Sequence, residues 1–122
     1  MSANVYDFVR ETSTTVGTGA TISLTAITGF SRFADVAVVG TKVYYSILSG
    51  NDREVGIGTI QASNTFSRDT PLTTLVGGVY NKNPLTPISM NGDSEVAITP
   101  LAQTLTTIEE EVAARILLLI GT

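Results

Sequence analysis

Short runs of alternating apolar and polar residues, separated by turn residues, fill most of the first hundred positions. Residues 20–26 alternate strictly, with Ile22 and Leu24 on one face and hydroxyl side chains on the other. This period of two is typical of a β-strand with one wet face. The chain also carries nineteen threonines, a residue that favours pleated, half-buried surfaces. The pattern therefore predicts a mainly β fold.

Further runs extend the predicted sheet. Residues 43–48 are apolar on both faces and predict a central strand, while residues 88–99 predict a late hairpin around an Asn-Gly-Asp turn. In the strand predicted at 54–60, Gly56 and Gly58 interrupt the side-chain row and indicate a bulge or a close backbone approach. We expect a core made of these residues: Ile22, Leu24, Phe33, Val43, Tyr45, Ile47, Val55, Ile57 and Phe66.

No helical pattern occurs before residue 104, which argues against parallel βαβ units. Several short strands with closely spaced turns are typical of a small antiparallel sandwich or barrel. We therefore expect an antiparallel β domain over residues 1–103 and a C-terminal α-helix within a tail of the same structural unit, residues 104–122.

The tail begins with a capping box, in which Thr107 is the N-cap and Glu110 the third helical residue. Apolar residues then recur at helical spacing, and Leu117 with Leu118 widens the apolar face. Such a helix is normally buried on more than one side, either against its own β domain or against neighbouring subunits. We favour the second alternative, with a trimer as the first guess. The predicted subunit-interface residues are Ile108, Val112, Ile116, Leu119 and Ile120.

Composition argues against most kinds of chemistry. The chain has no histidine and no cysteine, which removes the commonest general base, metal ligand and thiol nucleophile. Its net charge of -4, without a basic cluster, is unfavourable for nucleic-acid binding. The longest apolar run, residues 116–120, is too short to span a membrane. A charged fraction of only 15% with a mean hydropathy of +0.26 suggests surface buried against other subunits.

Eight acidic residues could in principle supply a pair of carboxylates for glycoside hydrolysis, but we interpret most of them as solvated acids of turns and wet strand faces. They are Asp7, Glu11, Asp35, Asp52, Glu54, Asp69, Asp93 and Glu95. The turns at 49–52 and 91–93 carry oxygen ligands but lack the spacing of a calcium loop. The sequence predicts no catalytic, cofactor-binding or metal-binding residues and no cofactor.

Five aromatic residues allow two interpretations. Tyr44, Tyr45, Phe30, Phe33 and Phe66 are either core residues, which we favour, or an exposed platform on which a sugar could stack. The exposure of their rings distinguishes the two.

An ordered set of motifs is more specific than any single pattern. It comprises the segments 9–19 (VRETSTTVGTG), 29–33 (GFSRF), 44–47 (YYSI), 54–59 (EVGIGT) and 66–70 (FSRDT). This order resembles a small β domain that recurs in structural proteins of tailed bacteriophages and prophages. The resemblance covers residues 5 to 75 and, weakly, 95 to 100.

The resemblance implies a non-enzymatic structural protein of the virion, assembled in the host cytoplasm. Such a protein would be a head decoration or cement protein, or a fibre-base adaptor. Its partners would be other virion proteins (capsid, tail or fibre) and further copies of itself. The alternative is a carbohydrate-binding module associated with a tail fibre.

Overall fold

The computed structural model describes residues 6–84 and 86–98, which form a mainly β structure as predicted. The predicted C-terminal helix lies outside the described residues. The elements are β1 (Arg10–Ser13), β2 (Val16–Gly17), β3 (Thr21–Ser23), β4 (Thr25–Ala26), α1 (Phe33–Val36), β5 (Lys42–Ser49), β6 (Asp52–Gln61), β7 (Thr65–Val76), β8 (Val79–Lys82), β9 (Met90–Asn91) and β10 (Ser94–Ile98).

The main sheet is antiparallel and almost closes on itself. Its strand order is β3-β7-β6-β5-β10-β1-β4, so β3 and β4 lie at its two edges. These two strands are consecutive in the chain and are separated only by Leu24. Because β3 pairs with β7 while β4 pairs with β1, residues 21–26 connect both edges and produce a barrel-like sheet. Of the two architectures left open by the sequence, the structure has the barrel-like one.

The barrel has two distinct ends. At the first, which we call the helix end, β1 begins, β10 ends and β5 begins, and the connection that contains α1 lies beside them. At the opposite end, which we call the hairpin end, β7 turns into β8 and the short pair β2–β9 is placed. β8 pairs with β7 outside the barrel path, and all of its residues are exposed.

The predicted core is confirmed except at Val55 and Ile57, where the prediction is wrong. Both side chains are only half-buried, because β6 turns the opposite row of residues inward. That row includes Gly56 and Gly58, and a side chain on either glycine would collide with the interior. A Cβ on Gly58 would overlap the ring of Phe66. The close approach predicted from these glycines is confirmed, and the β6–β7 register shifts at both.

Three aromatic rings fill the interior next to those glycines. The ring of Phe66 makes edge-on contacts with the rings of Phe33 and Tyr45, at centroid distances of 5.1 and 5.3 Å. Such edge-on pairs add to the stabilisation from apolar burial. Phe33 belongs to α1 and is fully buried, so its ring closes the interior at the helix end.

Within residues 6–84 and 86–98, no helix has the length and apolar character required to cross a membrane.

Candidate functional site

A buried ion pair lies inside the barrel near the hairpin end. The Arg68 guanidinium is 3.3 Å from Oε1 of Glu54, and both side chains are completely excluded from solvent. Arg68 also donates to the carbonyl of Gly19 at 2.7 Å and to that of Ile88 at 3.0 Å. A buried charge is tolerated when it is paired and its remaining donors are satisfied. The pair therefore holds two connecting segments against the barrel.

The Glu54 carboxylate has further partners that fill its lone pairs. The backbone N–H of Ile88 donates to Oε1 at 2.7 Å, and the Tyr45 hydroxyl donates to Oε2 at 2.6 Å. Burial, followed by the nearby Glu54 charge and this hydrogen bond, raises the pKa of the Tyr45 hydroxyl far above its ordinary value. Tyr45 is consequently held in its neutral, donating form.

A second buried carboxylate has the corresponding role at the helix end. Glu11 accepts from Nε of Arg32 at 2.8 Å and from the backbone N–H of Phe33 at 2.8 Å. Arg32 also donates to the carbonyl of Leu24, at 3.2 Å. Because Arg32 and Phe33 lie at the start of α1, these bonds fasten the helix over the barrel opening.

The interpretation of the acids as solvated is wrong for Glu11 and Glu54, which are each 1% exposed. Alternation along the strands is the sequence signal that could have predicted their burial. Glu54 lies on the same inward row of β6 as Gly56 and Gly58. Glu11 lies on the same inward row as Val9 and Ser13. Each carboxylate accepts hydrogen bonds from an arginine and from a backbone N–H of the same chain. Their arrangement is structural, and neither faces a solvent-filled site.

Asp69 lies on the outer surface with Thr59, Ser67 and Lys42. Both hydroxyls donate to its carboxylate, and Nζ of Lys42 is 3.3 Å away. Partial burial of Asp69 opposes ionisation, but these donors and the Lys42 charge outweigh it and lower its pKa below the ordinary value. A carboxylate with a lowered pKa and three donors is a poor general base at neutral pH.

Three of the other acids also serve local structure. Asp35 accepts the backbone N–H of Arg32 and so caps α1, Asp52 accepts that of Gly77, and Glu95 forms a surface ion pair with Arg10. Asp7 and Asp93 are exposed. Among the described residues, no group of three or more acidic side chains is placed to hold a metal ion.

The five aromatic residues do not share a surface. Phe33, Tyr45 and Phe66 are buried, as expected of core residues, whereas Tyr44 is half-buried on the outer face. Phe30 is partly exposed, and the Arg10 guanidinium lies 5.4 Å from its ring centroid. The rings therefore do not form the platform on which the carbohydrate-binding alternative depended.

The exposed large apolar side chains of the described residues divide between the two ends of the barrel. Phe8, Phe30, Val38 and Val39 belong to the helix end, and Val16, Val76, Val79 and Tyr80 to the hairpin end. Phe8 and Val38 are 79% and 78% exposed, and Val79 is 68% exposed. No sequence pattern predicts these surfaces, because apolar residues in loops and short strands follow no period that marks them as exposed.

The predicted subunit-interface residues lie outside the described residues. They are Ile108, Val112, Ile116, Leu119 and Ile120.

Comparison with known proteins gave no match to a family model, a curated protein or a solved structure.

Proposed function

We propose that the protein is a non-enzymatic structural component of a tailed-bacteriophage virion, either a head decoration or cement protein or a fibre-base adaptor. The observation that carries the proposal is the division of exposed apolar side chains between two opposite ends of one small barrel. Large apolar side chains that gather on one part of a surface are typical of protein–protein contact sites. Two such ends offer apolar surface both to other components of a particle and to segments of the chain outside the described residues.

The internal chemistry supports the same proposal. The buried charged groups, Glu11, Glu54 and Arg68, are engaged with other groups of the chain. They fall within the motifs that resemble the phage domain, so those motifs are explained by the stability of the barrel. A barrel whose buried charges are satisfied by its own chain fits a domain that is reused at several places in a particle.

The C-terminal segment is proposed to supply further contacts. A helix over 107–121, with Ile108, Val112, Ile116, Leu119 and Ile120 on its apolar face, would pack against the same helix of other copies. A three-fold or larger ring would bury both flanks of this wide apolar face. The proposed assembly is therefore a homo-oligomer, with a trimer as the first expectation.

Locating the protein in a purified particle tests the proposed function. Particles of the phage whose genome encodes the chain would be purified, and their proteins quantified by mass spectrometry. We expect a constant copy number per particle and density for the barrel in a cryo-electron microscopy map. Purified particles that lack the protein, or that carry it in amounts that vary between preparations, would contradict the proposal.

Sedimentation tests the proposed assembly separately. The full-length protein should sediment as an oligomer, whereas a variant without residues 107–122 should be a folded monomer. Circular dichroism of the shortened protein is the control for folding. A monomeric full-length protein, or loss of the β signal on deletion, would mean that the segment only completes its own domain.

A further inference from the structure

We propose that the C-terminal segment, residues 99–122, docks on the helix end of its own barrel and covers Phe8, Phe30, Val38 and Val39. We call these four residues the helix-end patch. The proposal deepens the proposed function by naming the surface that positions the segment, and it rests on the predicted apolar helix. Docking within one chain does not require assembly, so the two can be tested apart.

The point at which the chain leaves the barrel is the first observation. β10 ends at Ile98, and the backbone N–H of Ile98 donates to the carbonyl of Val9 at 3.2 Å. Phe8 directly precedes Val9, and its carbonyl accepts the N–H of Ser31 at 2.8 Å. Phe8 and Phe30 therefore lie on the β1 side of the exit.

Val38 and Val39 lie on the other side of the same exit. The carbonyl of Val38 accepts the N–H of Thr41 at 3.1 Å, and β5 begins at the next residue, Lys42. β10 is placed between β1 and β5 in the sheet. Ile98, the last residue of β10, therefore lies between β1, which follows Phe8, and β5, which follows Val38 and Val39.

The length of the segment fits this position. Ile108 follows Ile98 by ten positions, which span up to about 33 Å when extended. A helix over residues 107–121 would be about 22 Å long. A connection of this length is therefore long enough to return such a helix across the barrel end.

Two energetic considerations favour this occupant. The helix-end patch consists of large apolar side chains that gain by leaving water, and the segment carries the longest apolar run of the sequence, residues 116–120. A short tether gives the segment an effective concentration in the millimolar range at its own barrel, far above that of another copy in dilute solution. The wide apolar face leaves its second flank free for neighbouring copies.

The test uses the full chain and the absence of native cysteine. Single thiols are introduced by Val38→Cys at the helix end and by Val79→Cys at the hairpin end, two positions of similar exposure in the barrel. The rate of maleimide labelling is then measured on native protein. We expect labelling at position 38 to be slower by about tenfold or more, because a docked segment must open before reagent enters.

The same two thiol variants are then combined with Ile116→Asp and Leu119→Asp in the segment. These changes should restore fast labelling at position 38 and leave position 79 unaffected. Equal labelling at both positions, with no response to the changes in the segment, would overturn the proposal.

A disulfide experiment identifies whose segment is docked. Oxidation of the double variant Val38→Cys/Ile116→Cys should join the thiols within one chain, and Val79→Cys/Ile116→Cys should not react. A product of twice the chain mass, or cross-linking between mixed single variants, would assign the patch to another copy's segment and overturn docking within the chain. Sedimentation of the same samples reports assembly, so protection without oligomers would contradict only the proposed oligomer.

Discussion

Arg68 and Glu54 form an ion pair 3.3 Å apart inside the barrel, and neither side chain has any contact with solvent. Arg68 comes from β7 and Glu54 from β6, yet their hydrogen bonds reach connecting segments at Gly19 and Ile88. The pair thus connects the barrel wall to the loops that close the hairpin end. Glu11 and Arg32 make the equivalent connection at the helix end.

Removing one member of the inner pair should be strongly destabilising. Arg68→Leu leaves the Glu54 carboxylate buried without its counter-charge, and we expect unfolding to become easier by about 3–5 kcal/mol. Urea denaturation followed by circular dichroism measures the change. The matched control is Glu95→Gln, which breaks the solvent-exposed pair with Arg10 and should cost less than about 1 kcal/mol. Similar losses of stability for the two variants would show that the buried pair contributes no more to the free energy of unfolding than the exposed pair does.

The inward glycines of β6 should tolerate no side chain. In Gly58→Ala the new methyl group would overlap the Phe66 ring and the Ser67 carbonyl, so we expect a loss of about 1–3 kcal/mol. Gly19→Ala is the control, since its methyl group would meet nothing within 4 Å. That variant should be neutral or more stable by up to about 1 kcal/mol, because alanine lowers the conformational entropy of the unfolded chain. Thermal melts compare them, and a neutral Gly58→Ala would contradict the packing described for β6.

The inside and outside of the barrel should respond differently to truncation of an apolar residue. Leu24 is buried and lies between β3 and β4, and Leu24→Ala should cost about 2–5 kcal/mol. Ile57 lies on the outer row of β6, so Ile57→Ala should cost clearly less. Chemical denaturation of both variants decides the point. A larger loss at Ile57 than at Leu24 would mean that the row of β6 containing Ile57 faces the interior of the barrel.

Tyr45 should make stability sensitive to alkaline pH. Its pKa is raised in the folded protein, so its contribution is complete below about pH 10, where an unfolded tyrosine ionises. As pH rises above that value, only the unfolded state gains the charge, and about 1.4 kcal/mol should be lost per pH unit.

Tyr45→Phe should remove this dependence, at a cost of about 1–3 kcal/mol near pH 7 for the unsatisfied Glu54 oxygen. Denaturation midpoints of the two proteins at pH 9 and pH 11 give the comparison. Other groups titrate equally in both proteins. Equal losses of stability between pH 9 and pH 11 would therefore contradict a Tyr45 hydroxyl that is buried and neutral in the folded protein.

Several features followed from the sequence because they depend on local pattern. The alternation around Ile22 and Leu24 predicted β structure over residues 20–26, where the structure has β3 and β4. The spacing of Gly56 and Gly58 predicted a close backbone approach. Seven predicted core residues are buried: Ile22, Leu24, Phe33, Val43, Tyr45, Ile47 and Phe66. Period-two patterning fixes which residues share a face, and steric exclusion requires glycine where another group comes within contact distance.

Only the tertiary structure decided which face of β6 is inside. Alternation alone cannot distinguish a row containing Val55 and Ile57 from one containing Glu54 and two glycines, and hydrophobicity favoured the wrong row. The choice depends on Tyr45 and Phe66, whose rings come from other strands and occupy the space beside the glycines. The same long-range pairing buries Glu54 with Arg68, fourteen positions away, and supplies the hydrogen bonds that make a buried carboxylate tolerable.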